Sequence, residues 1–487
     1  MPRIDLRRLE TLRGLDLTVW PPGYRANYQP AEASDHWYPE IECADPGERD
    51  DIIFRKLQKQ IQYAWERSSF YRSRWEQAGV SPATLKCLAD LPKFPVIQKA
   101  DLRQAQAEHP PFGDYLCVDP SRVARIHGTS GTTGRPTVFG IDNGDWERIG
   151  EAHARVLWGA GIRPRDRVLI CSFFSLYLGS WGALKGCERL GAAVFPFGAG
   201  VAGQTRMAVE WARQMQPTAL YSTPSYALHF AETARREGVD PRSFGIRTLF
   251  FSGEPGAGIP STKHQIEETF GGACIDLGTM AEMTPWMSSG ECRHRTGMHL
   301  YQDIVYTEVC DPQSYQPVPY GYEGTPVYTH LERTSQPMIR LVSNDRTRWI
   351  DEPCRCGRTY PRLPDGLYGR YDDMFIVRGE NIYPSTIEDT LRSTEGFGGE
   401  FQVIISREET MDELLVRAEY APSHGDPEKL NALRVTIRER LRTRLGVHPV
   451  VELVPSGELP RHEFKARRVV DDRELYRHSA GERQDEV

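Results

Sequence analysis

The stretch His127–Gly140, "HGTSGTTGRPTVFG", crowds four Thr, a Ser and three Gly ahead of "VFG". Nothing in it can fill a core. Its backbone N–H groups, hydroxyls and Gly freedom suit a loop that wraps an anion, although alone it reads equally well as a surface turn. A second set offers metal ligands. "CRHRTGMH" (Cys292–His299) and "CRC" (Cys354–Cys356) bring three thiols and an imidazole, the donors of a closed tetrahedral Zn²⁺ site. The C-x-C spacing is tighter than the usual C-x2-C, and buried free thiols are the alternative; Cys310 is a spare ligand. Charged candidates lie scattered: Glu282 in "DLGTMAEM", Asp345 in "MIRLVSND", Arg370 and Asp372 in "GRYDDMF", Lys465 in "EFKARR". Singly, these read as a cap carboxylate, a turn residue, a linker and a basic surface strip.

The elements that must position them follow from pattern. From Val123 to about Val342, "DRVLICSFF", "AAVFPF", "TALYSTP", "IRTLFFSG" and "GACIDLG" predict strands. "QTRMAVEWARQMQ" and "SYALHFAETARREG" predict helices between them, which means an α/β domain with largely parallel strands. After Gly369-Arg370 the order becomes β-α-β-β-α-β, a small α+β domain of the split βαβ (ferredoxin-like) kind. "FRKLQKQIQYAWERSSFYRSRWEQAG" predicts one helix stopping at Gly79. The expected organisation is an irregular Pro- and charge-rich arm over 1–50, a large domain over 51–370 and a small cap over 371–487.

Composition narrows the function. A chain of 487 residues exceeds a single core. Its net charge of -7 argues against a nucleic-acid surface. A bound polyphosphate must therefore be met locally, by a few basic side chains, loop amides and a divalent cation. The amino end has no apolar h-region, and no run approaches the ~18 apolar residues of a membrane span. Ten Cys without disulfide-framework spacing fit a reducing cytoplasm.

Two common nucleotide loops fail on inspection. A Walker A loop needs G-K-[ST], and here Arg135-Pro136 follow Gly134. "GAGVAG" (Gly198–Gly203) satisfies G-x-G-x-x-G, but the next strand ends without the acidic residue a dinucleotide site wants. What remains is the [ST]-S-G-T-T-G-x-P loop of adenylate-forming enzymes, matched by Thr129 to Pro136. That superfamily's other signatures follow in order: "FFSGEPG" (Phe250–Gly256), "DLGTMAEM" (Asp276–Met283), "MIRLVSND" (Met338–Asp345), "GRYDDMFIVRGENIYPSTIE" (Gly369–Glu388) and "LPRHEFKARRVVDDR" (Leu459–Arg473). With "CRCGRT" (Cys354–Thr359) as a further shared segment, the chain resembles the phenylacetate–CoA ligase branch over about residues 45 to 480. It departs at Gly278, Thr279 and Ala281, where that superfamily has Tyr, Gly and Thr or Ser, and "LVSND" replaces "YxTGD". These departures touch pocket walls and leave the substrate open.

The resemblance implies an AMP-forming carboxylate–CoA ligase using ATP, Mg²⁺ and coenzyme A. The carboxylate, with a pKa of roughly 4 to 5, is already ionised, so positioning and charge neutralisation carry the chemistry. By this resemblance Thr129, the amides of Ser130, Gly131 and Gly134, and the hydroxyls of Thr132 and Thr133 cradle the phosphates. Ser252, Gly253, Glu254 and Pro255, with Asp276, Leu277, Gly278 and Thr279, form the nucleotide-facing loops. Glu282 holds Mg²⁺, Asp345 with Arg370 holds the ribose, and Lys465 neutralises charge between the α-phosphate and the carboxylate. The cap then swings about Asp372, withdrawing Lys465 and presenting the "RGEN" loop, where Gly379 leaves room for pantetheine. Cys292, His299, Cys354 and Cys356 occur in this branch too and imply structural zinc.

Phe173, Tyr177, Trp181, Tyr226 and Trp286 line the acyl pocket by analogy. An aryl acid of the phenylacetate type is the first expectation; a short branched or 2-hydroxy acid such as 2-hydroxyisobutyrate is the alternative, as is transfer to a carrier protein or an amine. From other classes, "GAGVAG" would mean a nicotinamide oxidoreductase. A catalytically silent nucleotide binder is disfavoured because Lys465, Glu282 and Asp345 are all present. The resemblance also admits a homodimer.

Overall fold

The computed structural model describes residue 12 and residues 14–129, 136–199, 203–254, 256–278, 280–285, 287–408, 411–460 and 468–473. From residue 46 on, three helices come in turn: α1 (Pro46–Arg67), α2 (Ser69–Gln77) and α3 (Lys99–Glu108). The one helix expected to end at Gly79 is two. Ser68 takes an extended conformation between them, and its hydroxyl accepts from Tyr71 N to start the second. A hairpin follows, β1 (Arg125–Gly128) and β2 (Val138–Ile141), then α4 (Asn143–Gly159).

The alternating part forms as the pattern predicts. Its elements are β3 (Arg167–Ile170), α5 (Gly179–Leu190), β4 (Ala193–Phe195), α6 (Gln204–Met215), β5 (Ala219–Ser222), α7 (Pro224–Arg236), β6 (Thr248–Phe251), α8 (Pro260–Phe270) and β7 (Ala273–Asp276). The strands pair in parallel in the order β4-β3-β5-β6-β7. β5 is buried at every residue, as a strand covered by helices on both faces must be. Helix α7 starts where Thr223 accepts from Tyr226 N and Pro224 occupies the first turn, turning the chain sharply off the end of β5.

Beyond β7 the sheets become antiparallel. β8 (Ser289–Glu291), β9 (Met298–Leu300) and the later β13 make one. β10 (Val305–Cys310), β11 (Glu323–His330) and β12 (Asp345–Arg348) belong to another. β13 (Arg362–Leu363) completes the first, and β14 (Gly369–Arg370) pairs with β12.

The carboxyl-terminal part holds a hairpin, β15 (Phe375–Val377) and β16 (Glu380–Ile382), then α9 (Pro384–Arg392), β17 (Phe397–Glu408), β18 (Met411–Tyr420), α10 (Pro427–Leu445), β19 (Val450–Pro455) and β20 (Val469–Asp471). Its sheet runs β19-β18-β17-β20. "MFIV" therefore does not supply the fourth strand of the split βαβ; it folds back on β16, and β20 pairs with β17 instead.

The described part of the amino-terminal arm holds a short strand pair, Leu15–Asp16 with Gly23–Tyr24, and a four-residue helix, Pro39–Glu42, and it is deeply built in. Trp37, Tyr38 and Ile41 are fully buried. Trp37 Nε1 and the Tyr38 hydroxyl both donate to Glu151 of α4, at 2.7 and 2.6 Å, and Glu42 pairs with Arg358 at 2.9 Å. Among the described residues, no helix is long and apolar enough to cross a membrane.

Candidate active site

The carboxyl ends of the parallel strands open into a cavity of about 180 Å³, where ligands of open α/β sheets bind. The turn after β3 brings Tyr177, the turn after β6 brings Ser252, Gly253 and Glu254, and β7 ends in Asp276, Leu277 and Gly278. Thr129, Glu282, Asp345 and Arg370 complete the wall. Residues scattered over 240 positions thus meet in one place.

The stem of the Gly- and Thr-rich loop is pinned at both ends. Thr129 N donates to Thr137 O at 3.0 Å, and Thr137 N donates back to the Thr129 hydroxyl at 3.1 Å. Gly128 N donates to Leu176 O, and a Cβ at Gly128 would lie 2.8 Å from Thr137 O, so this stem demands glycine. Ser130, Gly131, Thr132, Thr133 and Gly134 lie outside the described residues, as do Pro255, Thr279, Trp286 and Lys465.

Register explains the ion pair in this wall. Asp345 and Arg370 are direct partners in the β12–β14 ladder, and their side chains meet at 3.2 Å. Burial raises the Asp345 pKa, while Arg370 and then Lys99 pull it back. Arg370 also grips Asp372 with two nitrogens, at 2.8 and 2.5 Å, linking the cavity wall to the predicted hinge. Glu282 is almost wholly buried; its Oε1 lies 3.2 Å from Lys99 Nζ without hydrogen-bond geometry and accepts no hydrogen bond. A buried carboxylate oxygen left unsatisfied in this way fits a hard divalent cation. Asp276 is pushed up to about 7 by burial and by Glu291, against the pull of Lys263.

Lys99 escaped the sequence reading. It is carried on the first turn of α3, where a cation opposes the helix dipole, and that misfit was the available signal. The preceding segment holds it in place: Ile97 N donates to Arg340 O and Ile97 O accepts from Val342 N, beside the run leading to Asp345. Met298 of β9 was likewise missed.

Other predicted residues sit elsewhere. Gly379 lies at the tip of the β15–β16 hairpin with φ +86°, and a Cβ there would touch nothing within 4 Å. Backbone conformation, not crowding, is what calls for glycine in this arrangement. Tyr226, on α7, is buried in the core with Phe230 and Leu169, and Trp181 packs edge-on against Phe174, both outside the cavity wall. Phe173 is half-buried outside the cavity wall.

Cys292, His299, Cys354 and Cys356 converge, their ligand atoms all within 4.8 Å of one another. Cys292 Sγ lies 3.8 Å from Cys354 Sγ, and Cys356 Sγ 3.4 Å from His299 Nε2. Three buried sulfurs and an imidazole at this spacing fit tetrahedral zinc. Cys310 lies in a separate apolar cluster with Val327 and Val342.

Known proteins match this arrangement. Residues 379–473 match the AMP-binding enzyme C-terminal domain. Phenylacetate–coenzyme A ligase of Thermus thermophilus is 33% identical over 451 residues, covering 89% of this chain and 99% of that protein. The Escherichia coli phenylacetate–coenzyme A ligase is 32% identical, covering 89% and 97%. A crystal structure of 2-hydroxyisobutyryl-CoA ligase in the postadenylation state with 2-HIB-AMP is 51% identical, with a TM-score of 0.91, covering 97% of this chain and all of that one. The same ligase with 2-HIB-AMP and CoA in the thioesterification state gives 0.73. The chain belongs to the phenylacetate–CoA ligase branch of the adenylate-forming, AMP-forming acyl-CoA ligases.

Proposed function

We propose that this ligase activates a short 2-hydroxy acid, of which 2-hydroxyisobutyrate is the type, rather than an aryl acid. One observation carries the choice. The Tyr221 hydroxyl lies 2.7 Å from Ser252 Oγ, and Ser252 also hydrogen-bonds the phenol of Tyr177, whose pKa burial pushes up to about 12. Tyr177 and Ser252 both face the cavity. Such a wall can extend its hydrogen-bond network to a substrate hydroxyl, a match that an aryl ring lacks. The 51% identity to a 2-hydroxyisobutyryl-CoA ligase supports the same reading. The phenylacetate reading keeps the support of the relatives near 32% identity. Pyrophosphate release across 2-hydroxyisobutyrate, isobutyrate and phenylacetate tests it. Roughly tenfold or greater preference for the hydroxy acid over isobutyrate is expected; a preference for phenylacetate would reverse the assignment.

Within this reading the loop over Thr129–Gly134 grips the triphosphate and Asp345 with Arg370 holds the ribose. Glu282 would hold Mg²⁺, which when bound shields phosphate charge. Lys465 enters from the cap to neutralise the forming bond, and rotation about Asp372 then exchanges it for the Gly379 hairpin and CoA. The four-ligand cluster would hold structural zinc. His299 and Met298 are adjacent on β9, so zinc on one side would steady the cavity wall on the other. All ten cysteines are free, which supports a cytoplasmic setting. A homodimer would show as twice the chain mass in sedimentation.

A further inference from the structure

A polar contact between the cap and the large domain is built around Arg468, three residues beyond Lys465 in the chain. Within the cap its guanidinium is locked. Nε donates to Glu400 at 2.6 Å, Glu388 lies at 3.5 Å, and the Phe401 ring sits beneath at 5.1 Å. Its remaining nitrogen crosses to the large domain and donates to Ser225 Oγ, at the start of α7, at 3.2 Å. Ser225 passes the contact on: its N–H donates to Glu254 at 2.8 Å, and its hydroxyl hydrogen-bonds the same carboxylate. Glu254 is itself a wall of the nucleotide cavity. A second contact joins the same two bodies, Ser261 Oγ to Asp389 at 3.1 Å.

We propose that Arg468 is a positioning residue for the adenylation step alone, docking the cap on the cavity rim through Ser225 and Glu254. The relay is formed in the cap orientation of this structure. When the cap turns, Arg468 leaves with it, and Ser225 Oγ must exchange a buried guanidinium donor for water. The contact therefore favours the arrangement that serves the first half-reaction and must break before the second. This inference rests on the reading that the cap works in two arrangements.

Both half-reactions of the full-length enzyme test it: acid-dependent ATP–pyrophosphate exchange, and thioester formation from supplied acyl-adenylate and CoA. Arg468→Ala should slow exchange about tenfold, the effect of one lost charge-assisted hydrogen bond, without slowing thioester formation. Arg468→Lys should restore part of the loss. Ser225→Ala, which touches none of the cap's own contacts with Glu400 and Glu388, should shift exchange a few-fold in the same direction and decides the matter if Arg468→Ala unfolds the cap. Equal loss in both half-reactions for Ser225→Ala, or no change in exchange, overturns the proposal. Lys465→Ala is the control. If it separates the half-reactions and Ser225→Ala does not, the docking role alone fails; if Lys465→Ala separates nothing, the two-arrangement reading fails with it.

Discussion

The nucleotide cavity and the thiol cluster share strand β9, with Met298 serving one and His299 the other, yet they are built on opposite principles. The cluster is closed: four donors face one point and leave no position for a substrate. The cavity is left incomplete. Glu282 Oε1 accepts no hydrogen bond, and both Asp276 and Asp345 are raised by burial. Polar groups left short of partners are costly to a fold, and they are what a ligand bringing charge of its own can satisfy. On the proposed reading, the contrast separates residues kept for turnover from residues kept for order.

Substitutions can break that contrast. The largest effect is expected from Lys465→Ala, on the order of 10³-fold in adenylation with the fold intact, read by pyrophosphate exchange and thermal melting together. Glu282→Gln should follow, at about 10²-fold, with the Mg²⁺ concentration giving half-maximal rate shifted upward; an unchanged Mg²⁺ dependence would remove Glu282 from the metal. Cys354→Ser should act on the other side of β9. Bound zinc by elemental analysis should be lost and melting lowered by several degrees, while turnover per folded molecule is largely kept. Lost turnover at full stability would place that cluster in the chemistry.

The smallest effect concerns Asp276. Its folded pKa of about 7 lies above the ordinary value of 3.8. The stability it contributes is present below about pH 4 and lost as pH rises to about 7. The buried His153 and His330, pushed down to about 4 and about 3, work in the opposite sense, adding stability as pH rises toward 6.5. The difference between Asp276→Asn and the parent isolates the carboxylate: the variant's melting temperature should fall less, or rise more, between pH 4.5 and 7.5. Parallel curves would contradict it.

Much of this was legible in the sequence where the signal is local or ordered. Strand–helix alternation gave the parallel sheet, and the ordered motifs pointed to Glu282, Asp345 and Arg370, which the fold brings to one cavity wall. Tyr226 shows a local signal passed over. Buried residues 226, 227, 230, 231 and 234 form a helical stripe, so its ring belongs to the core although it follows a strand end. Lys99 and the amino-terminal arm were hidden for a different reason. Pro and charge foretold irregularity, but burial of Trp37, Tyr38 and Glu42 depends on Glu151 and Arg358, more than 100 and 300 residues away. No periodicity encodes a pairing of that span.

The proposed reaction joins acid and ATP in the cavity between Thr129, Glu282 and Asp345 before CoA is needed. Exchange of labelled pyrophosphate into ATP, without CoA, measures that step directly. Exchange that depends on 2-hydroxyisobutyrate and falls about 100-fold in Glu282→Gln is the predicted result; exchange that appears only when CoA is supplied, or persists without any acid, would contradict it.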